Sequence, residues 1–503
     1  MQSLRSDDLH DQRLISQVHP PDWHNPEPAK RYNLTVIGAG TAGLVCAAAA
    51  AGLGAKVAVI ERELMGGDCL NFGCVPSKAL LRCARTYADA CRARDYGVVA
   101  VLAPEVDFAA VMSRMRRLRA ELSERDSVGR FKSLGVDVFL GNGRFSGPDS
   151  IAVAGRTLYF SRAVIATGSR AAALDIQGLA EAGFLTNETI FSLNTLPKRL
   201  VVVGGGPVGC ELAQAFSRFG AKVTLLEAAP AILPREDVDA ARVVKGALLA
   251  DGVEIIENCH LLSVQRTGQG NLLNLKSVDT RREIAFDEIL VAVGRVPTID
   301  GLGLEAAGVD CDPHTGIKVD DHLRTTNPRI FATGDVCSTY KFTHVADAMA
   351  RIAVRNALFY GRERVSDLTV PWCTYTDPEI AEVGLSEREA HERGVAVQTF
   401  IQPLAEVERA VLDGETNGFL KVRVRQNTDQ IVGATMVATH AGETVSELTM
   451  AIANGIGLAA IARIIHPYPT QAEAIRKIAD AYNRTRLTPR VQRLFRKWLQ
   501  WTR

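Results

Sequence analysis

Residues 33–61 read NLTVIGAGTAGLVCAAAAAGLGAKVAVIE, and this stretch decides the fold class. An apolar run leads into Gly38-Ala39-Gly40-Thr41-Ala42-Gly43, then an alanine-rich segment, a second apolar run and Glu61. The order predicts a strand, a tight turn, a helix and a second strand. Gly38, Gly40 and Gly43 allow the turn and the approach of backbone to a pyrophosphate. The helix N-terminus faces the phosphates, and Glu61 can hold a ribose. A lone G-x-G-x-x-G is weak evidence, but with strand, helix and acid in sequence it points to dinucleotide binding.

The pattern recurs in RLVVVGGGPVGCELAQAFSRFGAKVTLLE, residues 199–227, with Gly204, Gly206 and Gly209. Glu227 follows Gly204 by 23 residues, the interval that also separates Gly38 from Glu61. Two dinucleotides are therefore expected. Three further apolar runs end in glycine: one at Ala166-Thr167-Gly168, EILVAVGRVPT at Gly294, and RIFATGDVC at Thr333-Gly334-Asp335.

Just beyond the first fingerprint lies GGDCLNFGCVPSK, residues 66–78, with Cys69 and Cys74 behind the pair Gly66-Gly67. The run SKALLRCARTYADA that begins at Ser77 has helical apolar spacing. Pro76 is well tolerated in a first helical turn, where its missing N–H would have had no partner. Cys74 is thereby expected at a helix N-terminus, where free N–H groups and the positive end of the dipole stabilise a thiolate. The other cysteines, at 46, 83, 91, 210, 259, 311, 337 and 373, show neither a secreted disulfide framework nor a zinc spacing. Cys69 and Cys74 alone form a plausible redox pair.

The motif GGxCxNxGCxPSK resembles the redox centre of the class I pyridine nucleotide–disulphide oxidoreductases, which include dihydrolipoamide dehydrogenase, glutathione reductase and mercuric reductase. The resemblance covers roughly residues 31–485. It implies an α/β chain of two Rossmann-like dinucleotide-binding domains and a C-terminal α+β dimerisation domain, assembled as a homodimer. FAD belongs to the first fingerprint and NAD(P)H to the second. Cys74 becomes the flavin-proximal thiol and Cys69 the outer, exchanging one. Lys78 pairs with Glu211 beside the isoalloxazine, and Asp335 contacts the flavin's ribityl and phosphate region. Gly67, Thr167, Gly168, Gly294 and Gly334 join the cofactor-binding set. Glu227 favours NADH, since a carboxylate bonds a ribose 2′-OH and repels a 2′-phosphate, while nearby Arg235 leaves NADPH open. Expected boundaries are an arm (1–30), the FAD domain in two pieces (31–160 and 293–368), the NAD(P)H domain (161–292), the dimerisation domain (369–485) and a tail (486–503).

The chain departs from the family at HPYPTQAE, residues 466–473. Disulfide-reducing members carry HPTxxE, whose histidine is the acid–base partner of the exchanging thiols and whose glutamate orients it. Aligned on Pro469-Thr470 and Glu473, the histidine position holds Tyr468. A phenol of ordinary pKa near 10 is a poor base at neutral pH, and loss of a matched base costs on the order of 10²- to 10⁴-fold. His466 lies two residues away, roughly 6.5 Å in an extended segment, and cannot take the same place without a register change. Mercuric reductases also place tyrosine here, and LAQAF and LPRED around the second fingerprint resemble theirs, so that branch is nearest. The cysteine pair near a mercuric reductase's C-terminus has no counterpart after Cys373, and no GMTCxxC-like segment precedes Arg31. The acceptor implied is a soft metal or a small thiol or disulfide compound. The alternatives are a dihydrolipoamide-dehydrogenase-like reductase and a non-catalytic redox-sensing flavoprotein.

Length and charge bound the rest. With 503 residues, 47% of them hydrophobic, the chain can bury several cores, and a net charge of +1 gives no bulk attraction to nucleic acid. No secretory signal pattern opens the sequence and no run of about eighteen apolar residues occurs, so a soluble cytoplasmic enzyme is expected. HPPDWHNPEP is too rich in proline for a helix or paired strand, so residues 1–30 are expected as an arm laid on the surface or left mobile. The arginines of DFAAVMSRMRRLRAELSERD are expected on a solvated helix face. The tail, TRLTPRVQRLFRKWLQWTR, predicts a basic amphipathic helix that packs on the dimerisation domain or, alternatively, meets a membrane surface or acidic partner.

Overall fold

The structure is a computed structural model and describes residues 4, 7–99, 104–268, 270–278 and 280–503. The chain divides into two compact units, one of residues 1–228 and 252–367, the other of 229–251 and 368–503.

In the first unit the opening fingerprint folds as strand Tyr32–Ile37, helix Thr41–Gly52 and strand Val57–Glu61. Strand Tyr32–Ile37 pairs in parallel with Val57–Glu61 on one side and Arg156–Ile165 on the other. Its sheet runs in the order Asp137–Leu140, Val57–Glu61, Tyr32–Ile37, Arg156–Ile165, Ser150–Val153, Arg144–Gly147. Strand Ile330–Ala332 joins in parallel beside Arg156–Ile165, so a segment far along the chain completes the first sheet. All five residues of Val57–Glu61 are buried, as a strand covered on both faces requires.

The second fingerprint builds a separate parallel sheet, Glu254–Ile256, Lys222–Leu226, Arg199–Val203 and Glu288–Val291. An antiparallel meander of Cys259–Thr267, Gly270–Ser277 and Thr280–Phe286 packs its apolar side chains into the same core. The fold class expected from the sequence is the one observed.

The second unit is built on a five-stranded antiparallel sheet, ordered Pro371–Thr374, Glu379–Gly384, Ile431–Ala438, Phe419–Arg425, Val397–Pro403. Helices Ala441–Ala453 and Glu473–Thr485 cover its core. Lys421 and Arg423, both buried, hold Asp237 at 2.7 Å, and Asp237 caps helix Val238–Ala250.

Two readings need correction. The N-terminal segment is not only an arm, because Leu9–Val18 is a helix capped by Asp8, with Asp11, Leu14 and Val18 buried. Beyond it the proline-rich stretch does lie on the surface: Asn25 exchanges hydrogen bonds with Leu140 along the edge strand, and Trp23 Nε1 donates to the Val138 carbonyl. Nor are all the arginines of helix Phe108–Leu122 solvated, since Arg116 and Arg119 are buried. The two corrections share one cause, for Arg119 binds Asp11 at 2.6 Å with both side chains buried, and Arg116 meets Asp8 at 3.4 Å. The four hydrophobic residues among the ten of Leu9–Val18 could not have shown a partner 108 residues away.

The tail forms helix Pro489–Trp501, with Pro489 in its first turn and Thr488 as cap. None of its residues is buried, so the expected packing of its apolar stripe is not what the structure shows.

Candidate active site

Glycine geometry makes the two fingerprints equivalent. Gly38 and Gly204 adopt φ of 97° and 109°, outside the range an L side chain tolerates. A Cβ on Gly43 would lie 1.8 Å from the Gly38 carbonyl oxygen, and one on Gly209 would lie 1.9 Å from that of Gly204. Helix and strand can pack this closely only without those side chains. The acids repeat as well: Glu61 Oε2 accepts from Ala39 N–H and Glu227 Oε2 from Gly205 N–H, each at 2.7 Å. Each carboxylate braces its own turn and keeps acceptor capacity for a ribose. Burial raises the pKa of Glu61.

A cavity of about 160 Å³ opens at the first turn, lined by Gly38, Glu61, Arg62, Thr167 and Thr298 among others. Asp335, after strand Ile330–Ala332, accepts from Ser169 Oγ at 2.6 Å and faces Arg295 at 3.8 Å. Gly334 is packed against Ala42 and Ala346, Gly168 accepts from Thr298 N–H, and Gly294 from Ala172 N–H. The glycine turn, the acid and this cavity fit a flavin dinucleotide laid across the first sheet. A Cβ on Gly206 would meet nothing within 4 Å, leaving the second turn open to a ligand's phosphates.

The redox motif abuts the first turn. Gly66 N–H donates to the Ala39 carbonyl at 2.8 Å, and a Cβ on Gly67 would come within 2.6 Å of Gly40 Cα. Close approach of two glycine backbones brings the thiols to the dinucleotide turn. Cys69 lies in the short helix Gly67–Asn71, and Cys74 begins helix Cys74–Cys91. Both are thiols in this structure. A hydrogen bond from Cys69, reinforced by Thr343 Oγ1 at 3.3 Å and the charge of Lys78, lowers the Cys74 pKa to about 6. The same hydrogen bond, with burial and the carboxylate of Asp68, drives Cys69 upward. The pair is therefore a thiolate at Cys74 held by a thiol at Cys69. Lys78 Nζ binds Glu211 Oε2 at 2.7 Å, and Glu211, 4% exposed, fixes the ammonium from helix Pro207–Arg218.

Several groups here had no sequence signal. Thr343 opens a helix outside any motif, and Arg295 follows Gly294 and reaches Asp68 at 3.4 Å as well as Asp335. Arg119 donates to the Asn71 carbonyl at 2.9 Å, between the two cysteines, while the Asn71 amide donates to the Met65 and Gly67 carbonyls. Val18 accepts from Met65 N–H. The N-terminal helix thus steadies the redox turn from two sides.

In the second unit, Tyr468 is 71% exposed, and Glu473 is buried with Oε1 on Arg476 at 3.1 Å and Oε2 unpaired. His466 is half-buried, with its side chain 5% exposed and engaged with Glu447 at 2.9 Å, while its Nδ1 has no partner.

The pyridine nucleotide-disulphide oxidoreductase family model matches residues 32–350, and the dimerisation-domain model of the same family matches 370–479. The chain belongs to this family. As a member of the class I pyridine nucleotide–disulphide oxidoreductases, it is an FAD-dependent enzyme with a redox-active cysteine pair and NAD(P)H as electron donor. A mercuric reductase of Streptomyces lividans is 35% identical over 90% of this chain and 96% of that protein. A dihydrolipoyl dehydrogenase of Thermus scotoductus is also 35% identical, over 90% of this chain and 98% of that protein. Among solved structures, the HOCl-induced flavoprotein disulfide reductase RclA of Escherichia coli matches with a TM-score of 0.80 and 29% identity, covering 89% of this chain and 99% of that one. RclA is also solved as a Cu(II) complex. No described helix is long and apolar enough to cross a membrane.

Proposed function

We propose that this oxidoreductase passes two electrons from NADH, through the Cys69–Cys74 pair, to a soft metal ion of the mercuric kind. The carrying observation is the asymmetric pair: a thiolate at Cys74 with its pKa near 6 and a protonated thiol at Cys69. Bound FAD supplies hydride acceptance from NAD(P)H and two-electron reduction of the adjacent disulfide. Lys78, fixed by Glu211, sets a positive charge beside the thiolate and stabilises it. Cys69, the outer thiol, engages the acceptor. Two sulfurs give two electrons, the disulfide re-forms, and the proton leaves from Cys69.

Acceptor chemistry follows from Tyr468. Reducing an organic disulfide requires proton delivery to a departing thiolate, and a phenol at the histidine position is poorly matched to that task. A bound Hg(II) takes two electrons and needs no proton. Sulfur ligands also suit soft metals, and the relatives named mercuric reductase and the Cu(II) complex of RclA are in keeping with this reading. The second reading is dihydrolipoamide-type disulfide reduction, favoured by the equal identity to a dihydrolipoyl dehydrogenase. We further place the enzyme as a homodimer in the cytoplasm, where a reversible pair of this kind is kept cycling. Glu227 directs the choice of NADH over NADPH, and Asp335, Thr167 and the glycine turns hold FAD.

The test is NADH oxidation by purified, FAD-loaded enzyme with Hg(II), Cu(II), lipoamide or glutathione disulfide. Hg(II) turnover should exceed disulfide turnover by about a hundredfold or more, the lower end of the span expected for a missing base, and Cys74→Ser should abolish it. Tyr468→His should raise disulfide turnover. Lipoamide turnover above that with Hg(II) would overturn the metal reading, and equal kcat/KM for NADH and NADPH would overturn the role given to Glu227.

A further inference from the structure

The last 21 residues, 483–503, hold seven Lys and Arg and no Asp or Glu. The other 482 carry 51 cations against 57 anions, so the chain's positive charge is gathered at one end. In helix Pro489–Trp501, a turn of 100° per residue puts Val491, Leu494, Phe495, Trp498, Leu499 and Trp501 on one continuous arc. Arg490, Arg493, Arg496 and Lys497 fill the opposite arc, with no acid to pair them. The apolar arc is open: Leu494, Phe495, Trp498, Leu499 and Trp501 are 52–77% exposed. The ring of Trp501, at the edge of this arc, lies 5.3 Å from that of Trp498 near its middle.

We infer that this helix docks the enzyme on an anionic lipid surface, lying in the interface with its apolar arc inward. Three features select that occupant. An apolar arc this wide, carrying Phe495 and two indoles with Trp501 at its border, matches the depth of the headgroup boundary, where indole is favoured. Cations on both flanks can extend to anionic headgroups while their stems stay along the apolar face. The tail lies beyond residue 479, where the match to the dimerisation-domain model ends. The helix is preformed by its Thr488 cap and Pro489, which removes much of the ordering cost of binding. The electron acceptor would then be met at a membrane surface.

The test uses the full-length, FAD-loaded enzyme and vesicles of phosphatidylcholine with or without about one-third phosphatidylserine, in low salt and in 0.5 M NaCl, where ionic attraction is screened. The wild type should co-sediment with the anionic vesicles at least tenfold more than with neutral ones, and salt should release it. A chain ending at Thr488 should stay in the supernatant while oxidising NADH at the wild-type rate. Trp498→Ser with Trp501→Ser should bind less while keeping the helix, and vesicles should blue-shift tryptophan emission in the wild type only. No binding to the anionic vesicles, or binding that survives truncation, overturns the inference. A change of oligomeric state on truncation would do so too, by showing that a second copy of the chain covers the arc.

Discussion

The two ends of the chain are both helices outside the matched family domains, and they behave oppositely. Helix Leu9–Val18 brings Asp8 and Asp11 to Arg116 and Arg119, buries Leu14 and Val18, and reaches the redox turn through Arg119 and Val18. Helix Pro489–Trp501 brings only cations and buries nothing. The difference lies in the presence of complementary partners. A buried arginine must be paired, so an acidic segment is drawn onto it. A basic helix with no acid of its own keeps its face for another surface.

The largest expected effect breaks the N-terminal attachment. Arg119→Met leaves Asp11 as a buried carboxylate without its cation, and should cost about 3–5 kcal/mol in chemical denaturation of the flavin-loaded enzyme. Wild-type stability in that variant would show that the helix is held by apolar contact alone.

The next prediction asks whether the same attachment reaches the chemistry. Because the Cys74 pKa is lowered to about 6, its thiolate persists above that pH and is lost as pH falls through it. Alkylation of the reduced protein at Cys74 by iodoacetamide should therefore be half-maximal near pH 6, where an ordinary thiol would show about 8.5. Arg119→Met, which frees the Asn71 carbonyl, should move the midpoint upward, and truncation after Thr488 should leave it in place. A wild-type midpoint near 8.5 would remove the thiolate assignment.

A smaller effect comes from Asp8→Ala, which removes the cap of the N-terminal helix and the weaker partner of Arg116. About 0.5–2 kcal/mol should be lost, less than for Arg119→Met. The smallest is at the other end. Truncation after Thr488 should leave the denaturation midpoint unchanged, and a fall would show that the tail packs on the enzyme after all.

The parts of the fold that repeat were the most legible. Gly38 to Glu61 and Gly204 to Glu227 carry strand, turn, helix and acid within 29-residue stretches, and each arrangement is enforced locally by a glycine a side chain would disrupt. The redox motif was legible for the same reason, since Cys69, Cys74, Pro76 and Lys78 sit within ten residues on adjoining helical turns. Thr343, Arg295 and Arg119 were not, because each acts across a long separation and looks ordinary among its neighbours.

By itself, then, the sequence determined two dinucleotide turns, the cysteine pair at a helix start, the departure at Tyr468 and the amphipathic character of the tail, all set by covalent spacing and backbone geometry. Tertiary structure alone decided which cations are buried and what holds the thiols. Arg119 looks no different in sequence from exposed Arg117 two residues before it, yet one is sealed against Asp11 and the Asn71 carbonyl while the other pairs in solvent with Glu121. Burial depends on where the rest of the chain comes to lie, and that is fixed by packing between segments a hundred residues apart.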